Sequence, residues 1–179
     1  MNLRLVAGKF GGRTIQAPNG KVTHPMGERV RGSLFNIIGD EIVDAKILDA
    51  FAGTGSLGLE ALSRGATSVT FIERDRVASN ILVENIKSLG VEKNTTTVKI
   101  GLGTWVDRDE KESYDIIFAD PPYNNLQLST VSRLIGLLKN DGLMVLSYLG
   151  RSEVPSIMGV VVVDNRSYGN AALAFYRKK

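Results

Sequence analysis

Two clusters in this chain combine residue types and spacings suited to chemistry. The first is Asp120-Pro121-Pro122-Tyr123, directly after the apolar run Tyr114–Ala119. An acceptor carboxylate, a carbonyl whose direction two prolines stiffen, and an aromatic ring there converge on one planar group. Such a set suits methylation of an aryl amine, whose nitrogen lone pair is delocalised and poorly nucleophilic. Hydrogen bonds from an NH2 to Asp120 and to the Pro121 carbonyl would draw the nitrogen toward a tetrahedral shape. Tyr123 would stack on the base and hold that nitrogen in line with the methyl group. The residues alone leave open whether Asp120 takes the departing proton or only accepts a hydrogen bond. An Asp-Pro-Pro turn after a strand is by itself ordinary, so its weight comes from what accompanies it.

The second cluster is a buried strand, Ile47-Leu48-Asp49-Ala50, that runs into Gly53, Gly55 and Gly58. These glycines spell G-x-G-x-x-G, the turn that lets a ligand approach the backbone ahead of a helix, and the spelling equally suits a dinucleotide. Glu73 follows Gly53 by 20 residues, at the end of the next strand, where a carboxylate can accept from the ribose hydroxyls of an adenosine. NAD and S-adenosylmethionine share that ribose. Asp49, ahead of the glycines, can orient the turn or face a ligand's ammonium. Together with the Asp-Pro-Pro-Tyr turn it favours S-adenosylmethionine, and nothing resembles the acid or base of hydride transfer.

Composition narrows the chemistry further. The 179 residues include no cysteine and one histidine, His24, so thiol nucleophiles and thiolate metal sites are excluded, little is left for a histidine-based triad, and no metal site is expected. His24 is read as a loop residue without a catalytic role. The length suits one domain, 1–179, with an extension over 1–38 and a core over 39–179. The N-terminus lacks the apolar core of a signal peptide, and no apolar run approaches membrane-spanning length. The densest, Val160 to Val163, suits a buried strand. A cytoplasmic monomer is expected. Residues 1–36 carry six basic residues against the single acid Glu28, net +5, whereas 37–179 net −2. A basic N-terminal segment on a mildly acidic body is suited to phosphate backbones.

Strand and helix patterns alternate to position these clusters. Strands are predicted at Lys46–Ala50, Ser68–Ile72, Thr95–Lys99, Tyr114–Ala119 and Leu143–Tyr148, with helices at Ser56–Ser63, Arg76–Leu89 and Leu126–Leu138. Asp75 is placed to cap the middle helix and Gly90 to end it. Repeated βα units predict a parallel sheet with helices on both faces, which sets both clusters at the carboxyl ends of strands. Val160–Asp164 and Ala171–Tyr176 read as an antiparallel pair closing the sheet. At the front, Leu3–Ala7 and Thr14–Ala17 read as a basic hairpin. The following helix, Gly27–Ile38, puts Val30, Leu34, Ile37 and Ile38 on one face and Arg29 with Asn36 on its flank. Trp105 is read as packing a helix rather than stacking on a base, and Tyr168 as closing a turn.

The stretch from Asp49 to Ala66, DAFAGTGSLGLEALSRGA, resembles the bacterial small-subunit (16S) ribosomal RNA guanine-N2 methyltransferase family. Arg4-Leu5-Val6-Ala7-Gly8 with Gly12-Arg13, Glu28-Arg29-Val30-Arg31 with Leu34-Phe35-Asn36, the Asp120-Pro121-Pro122-Tyr123 turn, and Tyr168-Gly169 with Phe175-Tyr176-Arg177 extend the likeness along most of the chain. The resemblance implies an α/β, class I methyltransferase (Rossmann-like) fold: a seven-stranded sheet, the last strand antiparallel, preceded by a β-hairpin and a helix. It implies S-adenosylmethionine held by Asp49, Phe51, Gly53, Gly55, Ser56, Gly58, Glu73, Arg74 and Leu102, and catalysis by Asp120, Pro121, Pro122 and Tyr123. It further implies 16S ribosomal RNA or a small-subunit assembly particle as partner, with Arg4, Lys9, Arg13, Arg29, Arg31 and Asn36 touching RNA. Three places depart from the family pattern. Gly101-Leu102-Gly103 stands where an acid usually faces the adenine, Thr23-His24-Pro25-Met26-Gly27 leads into the first helix, and Asn124-Asn125 replaces a frequent basic residue. DNA adenine, transfer RNA guanine and protein glutamine are alternative acceptors for the same motif, and an RNA-binding assembly factor without activity is an alternative role.

Overall fold

The computed structural model describes residues 1–19, 25–108 and 112–179; His24 lies outside them. Seven strands form one sheet: β3 (Lys46–Asp49), β4 (Ser68–Ile72), β5 (Thr95–Val98), β6 (Tyr114–Ala119), β7 (Leu138–Leu149), β8 (Val160–Tyr168) and β9 (Ala171–Lys178). Their order is β5-β4-β3-β6-β7-β9-β8. The first five are mutually parallel, and β9 runs antiparallel to both neighbours. The order reverses at β3 and β6, so the chain leaves the carboxyl ends of these adjacent strands in opposite directions and opens a crevice there. Both chemical clusters sit on those two strand ends.

Alternate residues of each central strand feed two cores. On β6, Ile116 and Phe118 enter the core shared with α1 (Glu28–Ile38), α2 (Ser56–Ser63) and α3 (Arg76–Leu89). Ile117 and Ala119 enter the other, with α4 (Leu102–Val106) and α5 (Leu128–Arg133). The period of two along a strand and helices on both faces explain why the strands read as continuous apolar runs. The caps of α3 are as predicted: Asp75 accepts from the Ala78 N–H at 2.8 Å, and Gly90 closes the helix in the left-handed region. Trp105 is half-buried in α4 against the second core.

Three features differ from the sequence reading. The predicted helix over Leu126–Leu138 is the shorter α5 followed by a 3-10 turn, Leu134–Leu137, and β7 begins at Leu138, ahead of the predicted Leu143. In the closing pair, the last strand inserts between β7 and β8. Ala172 to Tyr176 are all buried, since both sheet faces are covered there. Val160 to Val163 therefore do not form a buried strand. Only Val160 is buried; Val161, Val162 and Val163 lie exposed on the edge strand, where a bulge between Val162 and Asp164 interrupts the register.

The N-terminal hairpin, β1 (Asn2–Arg4) with β2 (Thr14–Gln16), is a separate two-stranded sheet, too small to be stable alone. Side chains of the main body hold it. Glu60 on α2, wholly buried, accepts the N–H groups of Val6 at 2.9 Å and Ala7 at 3.1 Å, and pairs with Arg31 of α1 and Arg64. Ser63 accepts from the Phe10 N–H at 2.9 Å and donates to the Ala7 carbonyl at 2.6 Å. Gly8 presses so close that a Cβ would stand 1.9 Å from the Ser63 carbonyl oxygen. On α3, the Asn85 amide accepts from the Gln16 N–H and donates to its carbonyl, at 2.8 and 2.9 Å, as a neighbouring strand would. Replacing Glu60 with Ala strands the Arg31 guanidinium in the interior, so denaturant titration is expected to show a loss of about 3–5 kcal/mol. A loss below about 1 kcal/mol would show that Glu60 does not hold the extension.

Candidate active site

The glycine turn leaves β3 through Asp49 and enters α2 at Ser56, with Gly55 in the left-handed region at φ 94°. Gly58 lies one turn into α2, where a Cβ would stand 2.3 Å from the Phe71 ring, so only a glycine lets this helix reach β4. Two carboxylates fix the turn. Asp49 Oδ2 accepts the Gly58 N–H at 3.0 Å, while Glu73 accepts the N–H groups of Gly53 and Asp75, both at 2.7 Å. Asn85 ties the Thr54 carbonyl at 3.0 Å, so the glycine turn and the N-terminal hairpin share one buried amide.

Across the crevice, β6 ends at Asp120 and the two prolines. Pro121 is buried and Pro122 exposed; Tyr123 is 38% exposed, with its phenol oxygen 2.8 Å from the Ser147 hydroxyl on β7. The Ser147 hydroxyl also acts on the Asp120 carboxyl. Burial pushes the Asp120 carboxyl up to about 6, against the opposing effect of the Ser147 hydrogen bond. Burial pushes Asp49 up to about 7; the Gly58 N–H opposes this, and the nearby charges of Asp120 and Glu73 add to it. Burial also raises the Tyr123 phenol. Three carboxylates thus face one crevice, an arrangement that favours a cationic ligand.

The residues present fit S-adenosylmethionine. Asp49 Oδ1 is buried and has no hydrogen-bond partner among the described residues, a costly state that a ligand ammonium or N–H relieves. Each Glu73 oxygen retains a further lone pair for a ribose hydroxyl. Phe51 is half-buried beside the turn, and Leu102, at the start of α4, packs its side chain into the second core. The Leu102 side chain thus offers apolar surface where the family pattern has an acid. Arg74 is exposed.

The six predicted RNA contacts separate in space. Arg31 is not a surface residue. It is fully buried, paired with Glu60 at 3.4 Å and donating to the carbonyls of Met26 and Arg4, because it holds α1 and the hairpin together. Arg4 and Arg29 are exposed near the start of α1, and Arg4 pairs with Glu28 at 2.9 Å. The end of β8 reaches the same helix through a hydrogen bond between Tyr168 and Ser33. Lys9 and Arg13 flank the Phe10 ring at 4.9 and 5.9 Å, and Arg13 donates to the Ser88 carbonyl near the end of α3. Asn36 meets Arg64 just past the end of α2. Since α2 and α3 start at the crevice, these last three stand at the far ends of the helices, about 12 Å or more away at 1.5 Å per residue.

Two residues at the site escaped the sequence reading, Ser147 and Asn85. Ser147 carries a faint signal, one polar residue inside the apolar run Leu143–Tyr148. Asn85 reads as part of the apolar face of α3, and nothing in the sequence marks its partners.

The family model described as conserved hypothetical protein 95 matches residues 3–177. Ribosomal RNA small subunit methyltransferase D of Escherichia coli is 36% identical over 146 residues, which cover 78% of this chain and 68% of that protein. This chain belongs to that methyltransferase family. YlbH of Bacillus subtilis is 32% identical over 183 residues, covering 99% of this chain and all of the relative. The solved structure of yhhF from Escherichia coli superposes with a TM-score of 0.90 at 31% identity, covering 100% of this chain and 99% of that one. The fold is that of class I methyltransferases, and the cofactor is S-adenosylmethionine. Among the described residues, no helix is long and apolar enough to cross a membrane, and no cluster of ligating side chains suits a metal ion.

The raised carboxyls set a pH dependence. Between the ordinary carboxylate range and about pH 7, the folded chain retains protons that the unfolded chain has released, so these groups lower stability as pH rises through that window. Asp49→Asn mimics the protonated form. It is expected to match the wild type in thermal midpoint at pH 5, exceed it at pH 8, and bind S-adenosylmethionine more weakly at pH 8. A variant less stable at both pH values would show that Asp49 is not strained by its charge.

Proposed function

We propose that this chain transfers a methyl group from S-adenosylmethionine to N2 of a guanine in 16S ribosomal RNA, on the RNA or on a small-subunit assembly particle. The observation that carries this reading is the Asp120-Pro121-Pro122-Tyr123 turn, set at the carboxyl end of β6 beside the glycine turn of β3. Relatives named for small-subunit ribosomal RNA support the acceptor class. When bound, S-adenosylmethionine supplies a methyl group on a sulfonium, an electrophile that a neutral amine can attack.

The chain's own residues then make the amine a nucleophile. Asp120 and the Pro121 carbonyl accept from the exocyclic NH2, which concentrates the lone pair on the nitrogen, and the Tyr123 ring stacks on the base. A carboxyl raised to about 6 is ionised above that pH yet basic enough to take the proton that the methylated amine releases. Asp49 and Glu73 hold the cofactor's ammonium and ribose. Arg4 and Arg29, exposed near the start of α1, meet the phosphates of the RNA beside the target base. Lys9, Arg13 and Asn36 extend that basic surface along the hairpin and α1.

Labelled S-adenosylmethionine and small-subunit particles from cells lacking this protein test the reading, with nucleoside analysis of the product. Labelled N2-methylguanosine is expected, and its rate of formation should fall by about 10²-fold or more in Asp120→Ala. Label in transfer RNA, DNA adenine or protein glutamine instead would move the reaction to another acceptor. Cellular function that survives Asp120→Ala would favour an assembly role without catalysis.

A further inference from the structure

Ser147 is 1% exposed in the middle of β7, between the buried side chains of Leu146 and Tyr148. A hydroxyl buried in an apolar strand costs free energy unless its hydrogen bonds are satisfied. The Ser147 hydroxyl bonds the Tyr123 phenol at 2.8 Å and acts on the Asp120 carboxyl, the two side chains of the Asp-Pro-Pro-Tyr turn that face the acceptor. An ionised carboxylate only accepts, and a serine has one proton to give. A Ser147 proton turned toward that carboxylate leaves the Tyr123 phenol as the donor to Ser147. The prolines stiffen the backbone ahead of Tyr123 but leave its side-chain torsions free. Its ring is 38% exposed, and the phenol is the end that the structure ties down.

We infer that Ser147 is a positioning residue for the acceptor base, its buried hydroxyl joining Tyr123 to Asp120 so that the stacking ring and the hydrogen-bond acceptor keep one fixed spacing. The inference rests on the base-methylation reading above. Ser147 itself touches no reacting atom. It acts through the two residues that do, and a base that is stacked but misaligned with Asp120 loses the geometry that in-line transfer needs.

Three variants separate positioning from a structural role: Ser147→Ala, Tyr123→Phe and the pair combined. Ser147→Ala is expected to lower kcat on the particle by about tenfold or more, while KM for the particle and Kd for S-adenosylmethionine stay within about twofold. The double variant should be no slower than the slower single one, because both substitutions break the same link. Ser147→Thr keeps the hydroxyl and should restore most of the rate. In the protein without ligand, the carbon resonance beside the Tyr123 oxygen, observed with labelled tyrosine, should shift in Ser147→Ala. Losses that multiply in the double variant, an unchanged kcat, or a weakened Kd that accounts for the whole loss would each overturn the positioning role. An unmoved Tyr123 resonance would do the same whatever the acceptor. A wild-type chain that methylates no ribosomal RNA would remove the acceptor reading and this role with it, even where the resonance reports the hydrogen bond.

Discussion

A single buried carboxylate, Glu60, is the interaction on which the N-terminal third of the molecule depends. It lies wholly out of water with two arginines and two backbone N–H groups around it. A buried charge is tolerated only when such partners are complete. Each partner comes from a different place: the strand-to-turn segment Val6–Ala7, the helix α1, and the end of α2. Glu60 sits on the helix whose first turn is the cofactor loop. The hairpin and α1 are therefore fastened to the element that also shapes the glycine turn, and Asn85 repeats the connection from α3 by holding Gln16 and Thr54 at once.

At the other end of α2 the same physics is left incomplete. Asp49 has one oxygen satisfied by Gly58 and one without a donor among the described residues, and burial with neighbouring carboxylates drives it toward the neutral form. Glu60 shows how a buried acid is held when its partners are complete; Asp49 shows one with a lone pair left open, which the proposed ligand would fill. The contrast explains why two buried acids eleven residues apart in sequence serve different ends. It also explains why the crevice favours a cation: a positive ligand repays the desolvation of Asp49 and eases the mutual repulsion of Asp49, Glu73 and Asp120.

Much of the fold and of the site was legible in the residues because local rules govern them. The glycine turn needs residues without a Cβ wherever helix and strand approach, as at Gly58 against Phe71, and that requirement is written in spacing. The caps of α3, at Asp75 and Gly90, are short-range hydrogen bonds and backbone angles. The parallel strands reveal themselves as apolar runs because both sheet faces are covered. The misread burial of Val160 to Val163 has the complementary reason. Val160 to Val163 and Ala171 to Tyr176 are both apolar, and their burial depends on which strand inserts beside β7, a non-local choice.

The sequence by itself determined the chemistry: an acceptor turn, a glycine loop with its acids, and no thiol or histidine machinery, all properties of residue type and spacing. Only the tertiary structure decided which charged residues face water. Arg31 and Arg29 stand two residues apart on one helix, yet one is locked against Glu60 and the other is exposed. The difference arises because an α-helix turns about 100° per residue and the hairpin covers one side of α1 alone. Tertiary structure also brought Ser147 against Tyr123, since one polar residue in an apolar run does not name a partner 24 residues away.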